Sequence, residues 1–199
     1  MIAIITGDII NSRQSEPEQW LNSLKTCLLY FGKTPKTWEI FRGDSFQLEV
    51  KPEDALFASF LIKSTIKQYK NIDVRLAIGL GEKNYDSYKI TESNGSAFIN
   101  SGECFESLKK NTLAIKSRFK NFDITLNLML ELAQLTMNNW TSISSLIIKT
   151  SLENPNMKQN EIAELLKKSQ SNISEGLKRG GFDEILKLLD YYKNQIQQL

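Results

Sequence analysis

The hydrophobic pattern changes character once, near residue 122, and that change limits the architecture more than any other feature. Before it, short apolar β-branched runs alternate with segments of helical period. After it, every segment carries helical spacing and the only proline is Pro155. Such a chain is α+β, with its strands in the first half and an all-α second half. The expected division is between a domain of residues 1–122 and a helical domain of residues 123–199.

Residues 2–7 (IAIITG) predict a buried strand that ends at Gly-Asp. Trp20, Leu21, Leu24, Leu28 and Phe31 then recur at helical spacing over 16–31, with Pro17 in the first turn and Gly32 as a stop. Residues 37–50 give two alternating runs around Arg42-Gly43-Asp44, a hairpin signal. A helix from Pro52 to Tyr69, with Leu56, Phe60 and Ile66 inward, leads to a strand over 73–82. A polar loop over 83–94, a helix over 96–109 and a strand over 112–117 complete this half. The first six elements have the β-α-β-β-α-β order of the split βαβ, or ferredoxin-like, arrangement. The second half predicts helices over 123–137 (apolar positions Ile124, Leu128, Leu132, Leu135), 139–152 (Trp140, Ile143, Leu146, Ile147), 158–167, 170–179 and 182–197.

The chain contains no histidine. Ser-His-Asp and Cys-His nucleophiles, histidine zinc sites and two-His-one-carboxylate iron sites are therefore excluded. Cys27 and Cys104 lack metal-ligand spacing and read as small buried residues of a reducing compartment. No apolar run approaches the ~20 residues of a membrane helix. The start MIAIITGDII has no basic region or small-residue cleavage site, so a soluble, cytoplasmic protein with no membrane partner is expected.

What remains is chemistry on carboxylates, lysine, tyrosine, serine, backbone dipoles or an oxygen-ligated metal. Asp8 follows the first strand and Asp44 sits in the hairpin turn. In a β-α-β-β fold these two points converge, where both carboxylates are suited to Mg²⁺ or Mn²⁺, which prefer hard oxygen ligands. The backbone N–H groups of Ile9, Ile10, Asn11, Ser12 and Arg13 are placed to meet nucleotide phosphates, with Arg42 and Gly43 beside them. Gly-Asp is also ordinary turn chemistry. By strand alternation, moreover, Asp44 shares a face with Phe46, Leu48 and Val50.

GDII, FRGDSFQL and VRLAIGLG, in that order, resemble the class III nucleotidyl cyclase domain. The resemblance implies a cyclase- or palm-like domain in which Asp8 and Asp44 hold the metal and the Ile9 carbonyl is a further ligand. GSAFINSGECFESL is similar to the cyclase stretch that has a catalytic arginine shortly before Glu-Ser. Here Cys104 and Phe105 stand at that place. A retained cradle without its transition-state group implies binding without turnover.

Near the C-terminus, QNEIAELLKKSQSNISEGLKRG reads as a helix-turn-helix. Ile162, Ala163, Leu166, Ile173 and Leu177 form its inner side. Ser169, Gln170, Ser171 and Asn172 open the second helix toward base edges and phosphates, with Lys178 and Arg179 as phosphate contacts. Lys167-Lys168 replace the usual glycine and apolar residue of the turn, and Gly176 takes an inward position usually aliphatic. Residues 126–199 hold 8 basic and 8 acidic side chains, so a plain helical bundle that forms a homodimer fits the same pattern. Across nearly its full length the chain resembles the SatD family. That resemblance implies a role in bacterial regulation or stress response. The expected function is a regulator that couples nucleotide and Mg²⁺ binding to DNA binding. The alternatives are a metal-dependent nucleotidyl cyclase or transferase, and a protein-interaction module.

Overall fold

The computed structural model describes residues 1–14 and 17–199. Its first half is a five-stranded mixed sheet. β1 (Ile2–Ile10) lies at the centre, antiparallel to β3 (Ser45–Val50) on one side and to β4 (Asp73–Gly81) on the other. β2 (Trp38–Phe41) pairs with β3, and β5 (Leu113–Lys116) runs parallel to β4. The order is β2-β3-β1-β4-β5. β1 continues to Ile10, past its expected end at residue 7. Both neighbours pair with it beyond that point: Asp8 faces Ser45 and Arg75, and Ile10 faces Asp73.

Strand parity divides the sheet into two faces. Ala3, Ile5, Ile9, Phe46, Leu48, Val74, Leu76 and Ile78 belong to the main core, shared with α1 (Pro17–Phe31) and α2 (Ala55–Ile66). The other face receives α3 (Ser96–Ser107), whose Ala97 packs on Ile4 and whose Cys104 packs on Ala77. Glycine makes this contact close. A Cβ at Gly79 would lie 2.2 Å from both the Ala97 carbonyl oxygen and the Ser101 nitrogen.

From residue 120 onward the elements are helical: α4 (Lys120–Met137), α5 (Ser142–Glu153), α6 (Gln159–Leu165), α7 (Gln170–Gly180) and α8 (Phe182–Ile196). No described helix is long and apolar enough to cross a membrane. α2 is buried at every residue but Phe57, because it touches the sheet on one side and α1, α5 and α8 on the others. The main core accordingly runs from Ala3 to Ile196 without a break at residue 122.

α4 corrects the reading of its own periodicity. Its buried residues are Phe122, Leu126, Leu130, Gln134 and Met137, whereas Ile124, Leu128, Leu132 and Leu135 are exposed. The buried side faces the edge of β5. The Gln134 Oε1 accepts from the backbone of Thr112 (2.5 Å) and Leu113 (2.9 Å), and its amide donates to the Leu113 carbonyl (3.0 Å). Asn127 does the same for the amide and carbonyl of Ile115, at 2.9 and 2.8 Å. In α5, similarly, Ile147 is buried and Ile143 is exposed.

Candidate functional site

Asp8 and Asp44 meet at one end of the sheet. Asp8 lies within β1, on the face shared with Ile4 and Thr6. Its Oδ2 accepts from the Arg75 guanidinium at 2.9 Å, and its Oδ1 accepts from the Ser45 hydroxyl at 3.0 Å. The Arg75 guanidinium also lies over the Phe105 ring, 5.1 Å from its centroid. Asp44 lies in the turn before β3, so strand parity does not bind it to the core face of Phe46. Arg42 and Gly43 make that turn at φ 54° and 90°. The Ser12 hydroxyl donates to Asp44 Oδ2 at 2.6 Å, and the Ile9 amide donates to the Asp44 carbonyl at 3.2 Å.

The phosphate cradle expected at residues 9–13 is built differently. The Ile9 amide is already engaged by Asp44, and Ile10 belongs to the β1–β4 ladder opposite Asp73. The Asn11 side chain donates to the Asn71 carbonyl at 3.2 Å and lines a cavity of about 440 Å³ with Lys67, Lys70 and Ser142. Arg13, Arg42 and Gly43 are exposed. The cation that reaches Asp8 is Arg75, which the sequence reading did not single out. A usable signal was present: in VRLAIGLG, residues 75, 77 and 79 share one parity, and Arg75 is its only charged member.

Both aspartates offer hard oxygen donors, as Mg²⁺ or Mn²⁺ requires. Among the described residues no group of three or more metal-ligating side chains occurs. Two carboxylates fit an ion that arrives with substrate phosphates and keeps several waters, not one held by protein alone. Asp8 would have to exchange Arg75 for the ion.

Behind this end of the sheet lies a buried ionic network. Lys63 Nζ donates to Asp73 Oδ1 at 2.9 Å and to Thr112 Oγ1 at 3.0 Å, and Lys67 holds Asp73 Oδ2 at 3.2 Å. Burial lowers the Lys63 pKa to about 8, against the opposing pull of Asp73. Burial likewise pushes the thiols of Cys27 and Cys104 up to about 12, so neither is a ready nucleophile.

The second candidate region is the α6–α7 pair. Ile162, Ala163 and Ile173 bury against Ile147 of α5 in a separate small core. α6 ends in a Schellman motif: the Lys167 amide donates to the Glu164 carbonyl and the Lys168 amide to Ala163. Lys167 takes the left-handed conformation there, at φ 51°, where glycine is usual. Ser169 then caps α7 by accepting from the Asn172 amide at 3.2 Å. The inward Gly176 has a clear reason. A Cβ there would meet Ile147 Cδ1 at 2.5 Å, and one at Gly180 would meet Ile148 Cδ1 at 2.4 Å. The Trp140 indole donates to the Gly180 carbonyl at 2.9 Å, fixing the C-terminal end of α7. Gln170, Ser171, Asn172, Ser174, Glu175, Lys178 and Arg179 are left exposed, and Glu175 is the only acid among them.

The chain is thus an α+β protein with one polar, carboxylate-bearing sheet end and one outward-facing polar helix. It belongs to the SatD family, whose model matches residues 1–196. No curated protein and no solved structure matches it.

Proposed function

We propose that the chain is a DNA-binding regulator in which α6 and α7 form a helix-turn-helix and α7 enters the major groove. The observation that carries this reading is the construction of α7. Gly176 and Gly180 hold its inner side against α5, while Gln170, Ser171, Asn172, Lys178 and Arg179 face outward. Polar residues at the start of such a helix suit base edges, and cations at its end suit phosphates. The test is selection from a randomised duplex library, followed by gel shift. A salt-sensitive, sequence-dependent shift that is lost in Lys178→Glu/Arg179→Glu is expected. Wild-type protein that shifts no duplex at low salt overturns the reading.

A second part rests on the pairing of Asp8 with Ser45, the residue after Asp44. Residues 2–81 form a ferredoxin-like, cyclase-related unit, a reading supported by the β2-β3-β1-β4 order. The sheet end binds a nucleotide with Mg²⁺ or Mn²⁺. Binding is preferred to turnover, since buried Cys104 and half-buried Phe105 stand where a cyclase places its arginine. α2 is the physical link between the two parts, because it touches both the sheet and α5. A thermal-shift screen of nucleoside triphosphates with either metal tests this part. Stabilisation that Asp44→Ala abolishes is expected, and a shift of equal size in both proteins refutes it.

A further inference from the structure

We infer that the groove between α4, the end of α7 and the start of α8 binds a small amphipathic anion: an apolar body carrying one carboxylate. The groove encloses about 690 Å³, within the roughly 300–1,000 Å³ of small-molecule sites. Met137 and Ile185, both buried and part of the main core, lie at its base. Met129 and Leu132 of α4 and Leu188 and Tyr191 of α8 line it further out. Leu132 is 60% exposed and the other three are half-buried, so apolar surface is left open to solvent there. Removing that surface from water favours an apolar occupant.

The charges around the groove select an anion. Lys178 and Arg179 of α7 and Lys187 of α8 stand against a single acid, Glu184. None of these four side chains has an ion pair or hydrogen bond among the described residues. Three unpaired cations beside an apolar cleft attract an anion and repel a cation. Arg179 also offers the paired N–H donors that a carboxylate accepts. The cations at the end of α7 are anchored, because the Trp140 indole holds the Gly180 carbonyl that follows them. The size selects a small molecule. Along α4 the groove runs from Met129 to Met137, about 12 Å, and the turn at Gly180 and Gly181 borders one end. Lys178 and Arg179 are shared with the outer side of α7, so ligand and duplex compete for them. That competition rests on the DNA-binding reading, whereas the groove and its occupant do not.

Calorimetric titration of decanoate and of naphthoate into the full chain tests the site. One-to-one binding of at least one acid is expected, with the matching amines, decylamine and naphthylmethylamine, bound about tenfold more weakly or less. Lys187→Glu and Leu132→Asp should each weaken the acid about tenfold, with unchanged far-UV circular dichroism. Neither residue belongs to the outer side of α7, so this arm is independent of DNA binding. A wild type that takes up neither acid below its micelle threshold overturns the proposal. An amine bound as well as its acid, or variants that bind like wild type, overturn it too. In the second arm, protein saturated with the acid should hold its selected duplex about fivefold more weakly. A duplex held equally tightly overturns the competition. Protein that binds the acid but no duplex at low salt overturns the DNA-binding reading and leaves the groove site standing.

Discussion

The Tyr192 hydroxyl donates to the Pro52 carbonyl at 2.7 Å, joining α8 to the entry of α2 across 140 residues of chain. Tyr192 is almost fully buried, and its ring lies beside Phe122, centroid to centroid at 6.2 Å. The helical half therefore closes over the sheet half through a part-buried hydrogen bond. Tyr192→Phe keeps the ring and removes this bond, leaving the Pro52 carbonyl with the Ala55 amide as its donor. It should cost about 1–2 kcal/mol in urea unfolding. An unchanged midpoint would mean that water replaces the hydroxyl.

Gly79 sets the distance between α3 and β4. Gly79→Ala forces a Cβ against backbone atoms of Ala97 and Ser101 that no side-chain rotation can move. A loss of about 1–3 kcal/mol is expected. The exposed Gly43, with nothing within 4 Å of a Cβ, is unsuitable as a control because its φ is positive. Gly102→Ala, on the open side of α3, serves instead and should be neutral or stabilising.

Lys63 makes stability depend on pH with a definite sign. Its folded pKa of about 8 lies below the ordinary 10.5. Between those values the unfolded chain holds a proton that the folded chain has released, so stability rises with pH. Cys27 and Cys104 act oppositely above pH 9, since their folded thiols stay protonated while unfolded thiols ionise. Comparison with Lys63→Met isolates the lysine. The stability of wild type minus variant should be flat below pH 8 and climb toward pH 10.5. A difference that is flat throughout contradicts the assignment.

Arg75 competes with any cation for Asp8. Arg75→Met should therefore tighten Mn²⁺-nucleotide binding several-fold by calorimetry, and Asp8→Asn should abolish it. Weaker binding in Arg75→Met would instead make the guanidinium a phosphate ligand, and the competition model would fail.

Lys167 holds a left-handed conformation that costs a side-chain-bearing residue about 1–2 kcal/mol. Lys167→Gly relieves that cost and adds unfolded-state freedom. The net expectation is a gain of about 0.5–1 kcal/mol, with a loss for the β-branched Lys167→Val. Thermal melts of both variants decide it.

The order of elements was legible because strands and helices differ in period, and period survives without tertiary context. What period cannot tell is which of two apolar faces is covered. On α4 the exposed side carries the aliphatics Ile124, Leu128, Leu132 and Leu135. The buried side includes Asn127 and Gln134, whose amides find backbone partners on β5. Hydropathy therefore points to the wrong face. The sheet end was legible in part. Turn residues placed Asp44, and topology brought Asp8 beside it. The Asp8–Arg75 pair depends on cross-strand register, which no local pattern encodes. In the α6–α7 turn, Lys167 occupies the conformation normally given to glycine, so the geometry is retained where the residue type had changed.

The two amides of α4 have a consequence for solubility during folding and storage. An edge strand with free peptide groups invites pairing with another molecule, and natural sheets blunt such edges. Here Asn127 and Gln134 occupy donors and acceptors along β5 as a sixth strand would. The other edge, β2, is only four residues long. The protein thus protects itself against edge-to-edge aggregation with side chains rather than with prolines or added charge.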